Sequence, residues 1–152
     1  MRAVIQRVKK CSVTIDGTMA SSIEAGMLVL LGVKKGDAET DAEYLAERCL
    51  TLRIFNDTEG KMNLSVSDVG GSVMVVSQFT VYGDTRKGNR PSYIDAAEPG
   101  IAEKLYEHFT ACIRTSLGEQ RVATGVFRAM MDVELTNDGP VTVIVESKDH
   151  TS

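Results

Sequence analysis

The chain has little of what several protein classes depend on. It contains no tryptophan, two histidines and three cysteines among its 152 residues. Its longest uninterrupted apolar run, Met27 to Leu31, is far shorter than the ~18–20 residues that a membrane-spanning helix needs. Gln6 and Arg7 interrupt the apolar stretch that a signal peptide would require. We therefore expect a protein with no membrane span and no export signal.

The cysteines and histidines exclude further kinds of site. Cys11, Cys49 and Cys112 are an odd number and include no C-x-x-C pair, which argues against a disulfide framework and against a zinc site. We expect a cytoplasmic protein with no cofactor and no bound metal. His108 lies in a helical segment and His150 in a polar tail, so a Ser-His-Asp or Cys-His site is disfavoured.

Charge limits the contact with polyanions. Seventeen basic and twenty-one acidic side chains give a formal net charge of −4, and the field of the whole protein therefore does not favour nucleic acid. Any such contact must be local. The loop Arg86-Lys87-Gly88-Asn89-Arg90-Pro91 offers three cations that could hold a phosphate, or that could simply be solvated.

Apolar periodicity predicts the secondary structure. Alternation favours strands over residues 3–8, 11–16 and 20–24, with a hairpin turn at Asp16-Gly17. Segments that are apolar on both faces favour central strands at Met27–Val33 and Val73–Val76.

Helical spacing predicts two helices that pack on the sheet. The first follows a capping box of Thr40 and Glu43. Its apolar stripe is Ala42, Leu45, Ala46, Cys49 and Leu50. The second has Pro99 at its first position and ends at Gly118. Its apolar stripe is Ile101, Leu105, Phe109, Cys112, Ile113 and Leu117.

The last third of the chain is predicted to be β-structure. Strands are expected at roughly 120–127, 131–135 and 141–145, with a turn over residues 136–140. The whole pattern predicts an α+β fold with a strongly curved or barrel-like β-sheet and two main helices packed on it. We expect one domain over residues 1–147 and a polar tail over residues 148–152.

Two segments depart from ordinary folding patterns. Ser77-Gln78-Phe79-Thr80 directly follows an apolar strand, where hydroxyls, an amide and backbone N–H groups can point into a cleft. It could equally be a strand terminus with a packed Phe79. In Asn137-Asp138-Gly139-Pro140-Val141-Thr142 the first three residues can make a turn alone, so the proline is not needed to close it. The Gly139-Pro140 bond could be cis, or the segment could be a plain turn.

These two segments look like the two signature motifs of the D-aminoacyl-tRNA deacylases, which are small homodimeric proofreading enzymes. The resemblance covers about residues 1–146. It includes four further segments, which are Ile5-Gln6-Arg7-Val8, Arg53-Ile54-Phe55, Gly60-Lys61-Met62-Asn63-Leu64 and Arg90-Pro91-Ser92.

The resemblance implies hydrolysis of the ester that joins a D-amino acid, or glycine, to the 3′ end of tRNA. Gly139-Pro140 would be the cis dipeptide that one subunit of a homodimer inserts into the pocket of the other to exclude L-amino acids. Arg7 would fix its orientation, and Val141 and Thr142 would belong to the same substrate-binding set. The catalytic segment would be Ser77, Gln78, Phe79 and Thr80, which would bind the terminal adenosine and the scissile ester.

The resemblance also implies a reaction in which the 2′-hydroxyl of the substrate assists the attack of water, without metal or cofactor. Arg86, Lys87 and Arg90 would make weak phosphate contacts. Two alternatives remain open. One is a hydrolase with Thr80 or Thr142 as its nucleophile. The other is a non-catalytic module that recognises an adenosine-ended ligand through Phe79 and the Gly-Pro turn.

Overall fold

A computed structural model describes residues 1–147 of the chain. The predicted polar tail, with His150, lies outside the described residues. In chain order the elements are β1 (Arg2–Ile15), β2 (Thr18–Ile23), β3 (Gly26–Gly32), α1 (Glu39–Thr51), β4 (Phe55–Asn56), β5 (Met62–Leu64), β6 (Ser72–Ser77), a 3₁₀ helix (Phe79–Tyr82), α2 (Pro99–Leu117), a second 3₁₀ helix (Glu119–Arg121), β7 (Val122–Thr124) and β8 (Asp132–Glu146).

The long strand β1 organises the sheet. It is continuous where the sequence predicted two separate strands. β3 pairs antiparallel with its first half and β2 pairs with its last part. The predicted hairpin turn between β1 and β2 is present, and both Asp16 and Gly17 have positive φ, at 50° and 78°, which is the backbone that a two-residue hairpin turn requires.

The sheet curls into a nearly closed barrel. β6 pairs parallel with β3, and β7 pairs parallel with β6. The hydroxyl of Ser21 in β2 donates to the carbonyl of Thr124 in β7 at 2.7 Å, and this bond brings the two ends of the sheet together. The α+β class with a barrel-like sheet and two helices is confirmed.

Apolar side chains form two cores, one on each face of the sheet. Both helices cover the outer face, where Leu45 and Phe109 are fully buried. The inner core lies within the barrel and includes Val13 and Met74. Burial raises the pKa of Cys11 to about 11 and that of Cys49 to about 12. Both thiols are therefore neutral at physiological pH and act as small apolar side chains.

The start of α1 differs from the predicted capping box. The helix begins at Glu39, with Ala38 as its N-cap residue, so Thr40 already lies within the first turn. The carboxylate of Asp41 accepts a hydrogen bond from the Ala38 N–H at 2.8 Å. The capping acid is therefore Asp41 and not Glu43. The apolar stripe itself is confirmed, because four of its members are buried and Leu50 is partly buried against the same core.

The predicted limits of α2 are confirmed. Pro99 opens the helix and Gly118, with φ of 91°, follows its last residue. The predicted apolar stripe is wrong at one position, because Ile101 in the first turn is 54% exposed. No helix within residues 1–147 is long and apolar enough to cross a membrane.

The predicted turn at residues 136–140 is wrong. β8 runs without a break from Asp132 to Glu146 and pairs with β1 on both sides of this segment. The register passes from Val8 opposite Asn137 to Gln6 opposite Thr142, so residues 138–141 bulge out opposite a single residue of β1. Proline lacks an N–H group and is tolerated in a strand at such a bulge. The strand predicted at 120–127 is also shorter, since only Val122–Thr124 is extended.

Candidate active site

The bulge forms a loop, residues 138–141, that we call the Gly-Pro loop. Its Gly139-Pro140 peptide bond is cis, and both residues are exposed. The side chain of Asn137 closes its base, because its Oδ1 accepts from the Val141 N–H at 3.0 Å and its Nδ2 donates to the hydroxyl of Thr142 at 3.3 Å. Gln6 on β1 donates to the same hydroxyl at 3.2 Å. Hydrogen bonds of two side-chain amides, those of Gln6 and Asn137, therefore hold the residues at the base of the loop.

Arg7 lies beneath the loop. Alternation along β1 puts it on the helix-covered face with Ala3 and Ile5, and it is only 7% exposed. Its Nε donates to the carbonyl of Asp138 at 3.1 Å. Its Nη1 donates to the carbonyl of Ile54 at 2.8 Å. A planar guanidinium thus connects the loop with a segment far away in the sequence.

Gly139 is required by the packing of the loop. Its φ is 127°, and a Cβ at this position would lie 2.8 Å from Cγ2 of Val141 and 3.0 Å from Nη2 of Arg7. L-residues rarely adopt this backbone conformation. The guanidinium and the loop backbone can approach this closely only because residue 139 has no side chain.

The second segment, the strand-end motif Ser77–Thr80, begins at the last residue of β6. The Gln78 N–H donates to the carbonyl of Leu31 at 2.9 Å, and the Gln78 side chain donates from Nε2 to the Thr80 hydroxyl at 2.7 Å. Phe79 and Thr80 open the 3₁₀ helix, where the first N–H groups have no acceptor within the helix itself. The motif presents a hydroxyl, an amide and backbone donors at the carboxyl end of β6.

Phe79 is not a packed strand terminus. It is 60% exposed and meets Tyr93 edge-on, with ring centroids 5.1 Å apart. The turn beneath it is anchored by the buried Tyr82 and by Arg2, whose guanidinium lies 4.7 Å from the centroid of the Tyr82 ring. Burial raises the pKa of Tyr82, so its phenol stays neutral. The exposed ring of Phe79 is free to contact a planar ligand.

The two segments lie apart within one chain. From the Gly-Pro loop on β8, the path across the sheet passes through β1 and β3 before it reaches β6. Three strand spacings correspond to about 14 Å along the sheet. The two segments are also offset along the strands, because the loop lies opposite Arg7, which pairs with Met27, whereas Ser77 pairs with Leu31.

The basic loop, residues 84–92, is closed on itself. Asp84 and Ser92 exchange backbone hydrogen bonds of 2.8 and 2.9 Å. Both oxygens of Asp84 accept from the guanidinium of Arg86, at 2.9 and 2.8 Å, and this pair holds the pKa of Asp84 well below its usual range. Lys87 and Arg90 are exposed, and the loop lines a cavity of about 210 Å³. Arg86 is therefore engaged locally, whereas the other two cations face solvent.

His108 belongs to neither segment. Its Nε2 lies 3.0 Å from a carboxylate oxygen of Glu43, and with Glu39 the three side chains bring potential metal ligands within 4.8 Å of one another. This is the one such cluster found within residues 1–147. Spacing along the chain could not indicate it, because its members come from two helices, α1 and α2. It lies in the helix layer beside a cavity of about 490 Å³ lined in part by Glu43 and Cys112.

Sequence reasoning overlooked the supporting side chains. Gln6 and Asn137 lie inside the quoted motifs, but their bonds to Thr142 depend on the pairing of β1 with β8. Asn56 accepts a hydrogen bond from Arg7 through its Oδ1 at 3.3 Å. Nothing in the sequence around Asn56 or Tyr93 indicates that either residue lies near the site. Only the fold brings them to the two segments.

Comparison with known proteins gives a family match over nearly the whole chain. Residues 4–146 match the family model described as D-Tyr-tRNA(Tyr) deacylase. A curated protein of Koribacter versatilis named D-aminoacyl-tRNA deacylase is 60% identical, over 97% of this chain and 98% of its own. Another so named, from Carboxydothermus hydrogenoformans, is 53% identical over 96% of this chain and 99% of its own. A solved structure named c-Myc DNA Unwinding Element Binding Protein is 38% identical, with a TM-score of 0.94 over 98% of this chain and 100% of that one.

Proposed function

The chain belongs to the D-Tyr-tRNA(Tyr) deacylase family, and we propose that it hydrolyses the ester joining a D-amino acid to the 3′-terminal adenosine of tRNA. It is then a carboxylic ester hydrolase that releases free amino acid and tRNA. The observation that carries the proposal is the Gly-Pro loop, which is exposed at its tip and held from beneath by the buried Arg7. A rigid backbone wedge of this kind can discriminate by shape.

We propose that the loop of one subunit enters the site of the other in a homodimer. The loop and the strand-end motif of one chain are separated by three strand spacings across the sheet, about 14 Å, and are offset along the strands, which supports an arrangement in trans. The loop carbonyls would receive the amino group of the substrate, and an L side chain would collide with the loop. Glycine has no side chain to collide, so glycyl-tRNA would also be hydrolysed.

The strand-end motif would hold the reacting end of the substrate. The exposed ring of Phe79 suits stacking on the terminal adenine. Backbone N–H groups of Phe79 and Thr80 would stabilise the oxyanion that develops as water attacks, an effect worth roughly 2.7–4 kcal/mol per donor in other hydrolases. The 2′-hydroxyl of the adenosine would assist the water.

The hydrogen bonds of the two threonines argue against a nucleophilic role. An activated hydroxyl needs a neighbouring base. The Thr80 hydroxyl accepts from the amide of Gln78, and the Thr142 hydroxyl accepts from that of Asn137. The Asn137 amide orientation follows from its bond to the Val141 N–H. Both partners are donors and cannot remove a proton.

Contact with the tRNA body would be weak and local. Lys87 and Arg90 are exposed cations in a chain of net charge −4, so we propose a few phosphate contacts at most and salt-sensitive binding. We also propose that the enzyme acts in the cytoplasm, where charged tRNA is used.

The proposal is tested by incubating purified protein with D-tyrosyl-tRNA and with L-tyrosyl-tRNA and following loss of the ester. We expect rapid hydrolysis of the D-ester alone. Hydrolysis of both substrates, or of neither, would reject the proposal, and retention of D-tyrosyl-tRNA without hydrolysis would favour a binding module.

Two further measurements test the chemistry. We compare the wild-type enzyme acting on a substrate without the terminal 2′-hydroxyl with the Thr80→Ala and Thr142→Ala enzymes acting on the natural substrate. Loss of the 2′-hydroxyl should slow the reaction more than either substitution. Rapid quenching followed by intact mass should show no acyl-enzyme. An adduct on Thr80 or Thr142 would establish the nucleophilic alternative.

Mixed dimers test the arrangement in trans. A loop variant, Arg7→Ala, and a strand-end variant, Phe79→Ala, are combined after each is shown to be dimeric by sedimentation. A site built from two chains is restored in the mixed dimer, so activity should exceed that of either variant. A fully active monomer would contradict this proposal.

A further inference from the structure

The segment from Arg53 to Leu64 forms a small hairpin outside the main sheet. Its strands β4 and β5 pair only with each other among the described strands. The Asp57 carboxylate accepts from the N–H groups of Glu59 and Lys61, at 2.9 and 3.0 Å, and Nε of Arg53 donates to the Asn63 carbonyl at 2.9 Å. The hairpin is therefore braced internally.

The guanidinium of Arg7 connects this hairpin to the Gly-Pro loop. On one side its Nε donates to the carbonyl of Asp138. On the other side Nη1 donates to the carbonyl of Ile54 at 2.8 Å and to Oδ1 of Asn56 at 3.3 Å. Because the guanidinium is planar and rigid, the direction in which Nε points depends on where Nη1 is held.

We infer that the β4–β5 hairpin is the outer support of the Gly-Pro loop and that Asn56 is a positioning residue for the hydrolysis, acting through Arg7. This inference rests on the proposed function. Asn56 is the side chain of the hairpin that bonds to Arg7, whereas the bond from Ile54 comes from the backbone. Asn56 therefore offers a contact that substitution can remove without disturbing the internal bracing.

Asn56→Ala tests the inference. We expect kcat with D-tyrosyl-tRNA to fall roughly two- to tenfold, the worth of one hydrogen bond, with KM little changed because the side chain of Asn56 bonds to Arg7 and to neither segment of the site. Asn56→Asp keeps an acceptor for Arg7 and should restore kcat. The matched control is Asn63→Ala, which removes an exposed amide from the other strand of the hairpin and should leave kcat unchanged.

A double-mutant cycle separates positioning from general support of the fold. If Asn56 acts through Arg7, Asn56→Ala should cause no further loss of kcat in an Arg7→Ala background. An independent readout is the NMR signal of the Arg7 Nε–H proton, which should shift and exchange faster with water in Asn56→Ala. This measurement requires only folded protein, and Asn56 is exposed.

The outcomes separate failure of the proposed function from failure of the inference about Asn56. If wild-type protein leaves D-tyrosyl-tRNA intact, the proposed function fails. If wild-type protein is active and Asn56→Ala matches Asn63→Ala in kcat, the inference is wrong. An equal loss in the wild-type and Arg7→Ala backgrounds, or an unchanged Arg7 Nε–H signal, would also overturn it.

Discussion

The Gly-Pro loop and the basic loop are both exposed, but they are held in opposite ways. The Gly-Pro loop is supported from outside itself, by Arg7 and Gln6 on β1 and, through Arg7, by the β4–β5 hairpin. The basic loop is closed by bonds within residues 84–92, including the pair of Arg86 with Asp84.

The difference matches the two kinds of recognition that we propose for these loops. A backbone wedge that must separate D- from L-amino acids needs its atoms held to within a fraction of an ångström, which buried contacts from several elements can provide. Phosphate attraction depends on distance and salt and tolerates loose geometry. We therefore expect substitutions around the Gly-Pro loop to change rate and chirality, and substitutions in the basic loop to change only affinity and salt dependence.

Arg7→Ala should have the largest effect. It removes the donors to the carbonyls of Asp138 and Ile54, so the free energy of unfolding should fall by about 1–3 kcal/mol. Hydrolysis of D-tyrosyl-tRNA should fall on the order of 100-fold, since misplacement of the loop by about 1 Å can cost that much. Single-turnover kinetics and denaturant unfolding measure both. The exposed Arg48→Ala is the control, and equal kinetics of the two variants would contradict the contrast between the loops.

Gly139→Ala compared with Gly88→Ala tests the same contrast at glycine. The φ angles are similar, 127° and 132°, but a Cβ at Gly139 meets Val141 and Arg7, whereas one at Gly88 meets nothing within 4 Å. Both variants carry backbone strain of about 1–3 kcal/mol. Only Gly139→Ala adds steric displacement of the loop, and its hydrolysis rate should fall by about tenfold more. Similar rates for the two variants would show that packing against Arg7 does not matter.

The Lys87→Ala/Arg90→Ala double variant should have a smaller effect, confined to binding. Each phosphate contact that is lost lowers the slope of log K against log salt by about 0.7–0.9. We expect weaker binding of tRNA at low salt, with kcat at saturating substrate and the preference for the D-ester unchanged. Filter binding over a salt series measures the slope, and a changed D/L ratio would assign the basic loop a role in chirality.

Asp84→Asn should have the smallest effect. Hydrogen bonds from Arg86 lower the pKa of Asp84, so the stabilisation from the pair is present above the ordinary pKa of an aspartate and is lost as the pH falls through the lowered value. Loss of the pair frees Arg86, and the salt slope of tRNA binding should steepen slightly. The ratio of the tRNA affinities of the wild-type protein and Asp84→Asn should stay constant from roughly pH 5 to 8. A ratio that changes within this interval would contradict the assigned pair.

Local patterns in the sequence were sufficient for much of the secondary structure. The Asp16-Gly17 turn, the two central apolar strands and the buried stripe of α1 depend on neighbouring residues and on periodicity. They were predicted correctly for that reason. The resemblance to a known family, now shown over residues 4–146, likewise depends on the order of motifs along the chain.

Contacts between distant residues were decided only by the tertiary structure. The segment at 136–140 reads locally as a turn, but both of its flanks pair with β1, so it becomes a bulge in one strand. Arg7 reads as one residue of an alternating strand, yet its hydrogen-bond partners are Asp138, Ile54 and Asn56. These bonds join residues about 50 and 130 positions apart in sequence, and a pattern with a period of two to four residues carries no information about such partners. The sequence by itself determined the central strands and the two helices, whereas the fold determined what holds the Gly-Pro loop in place.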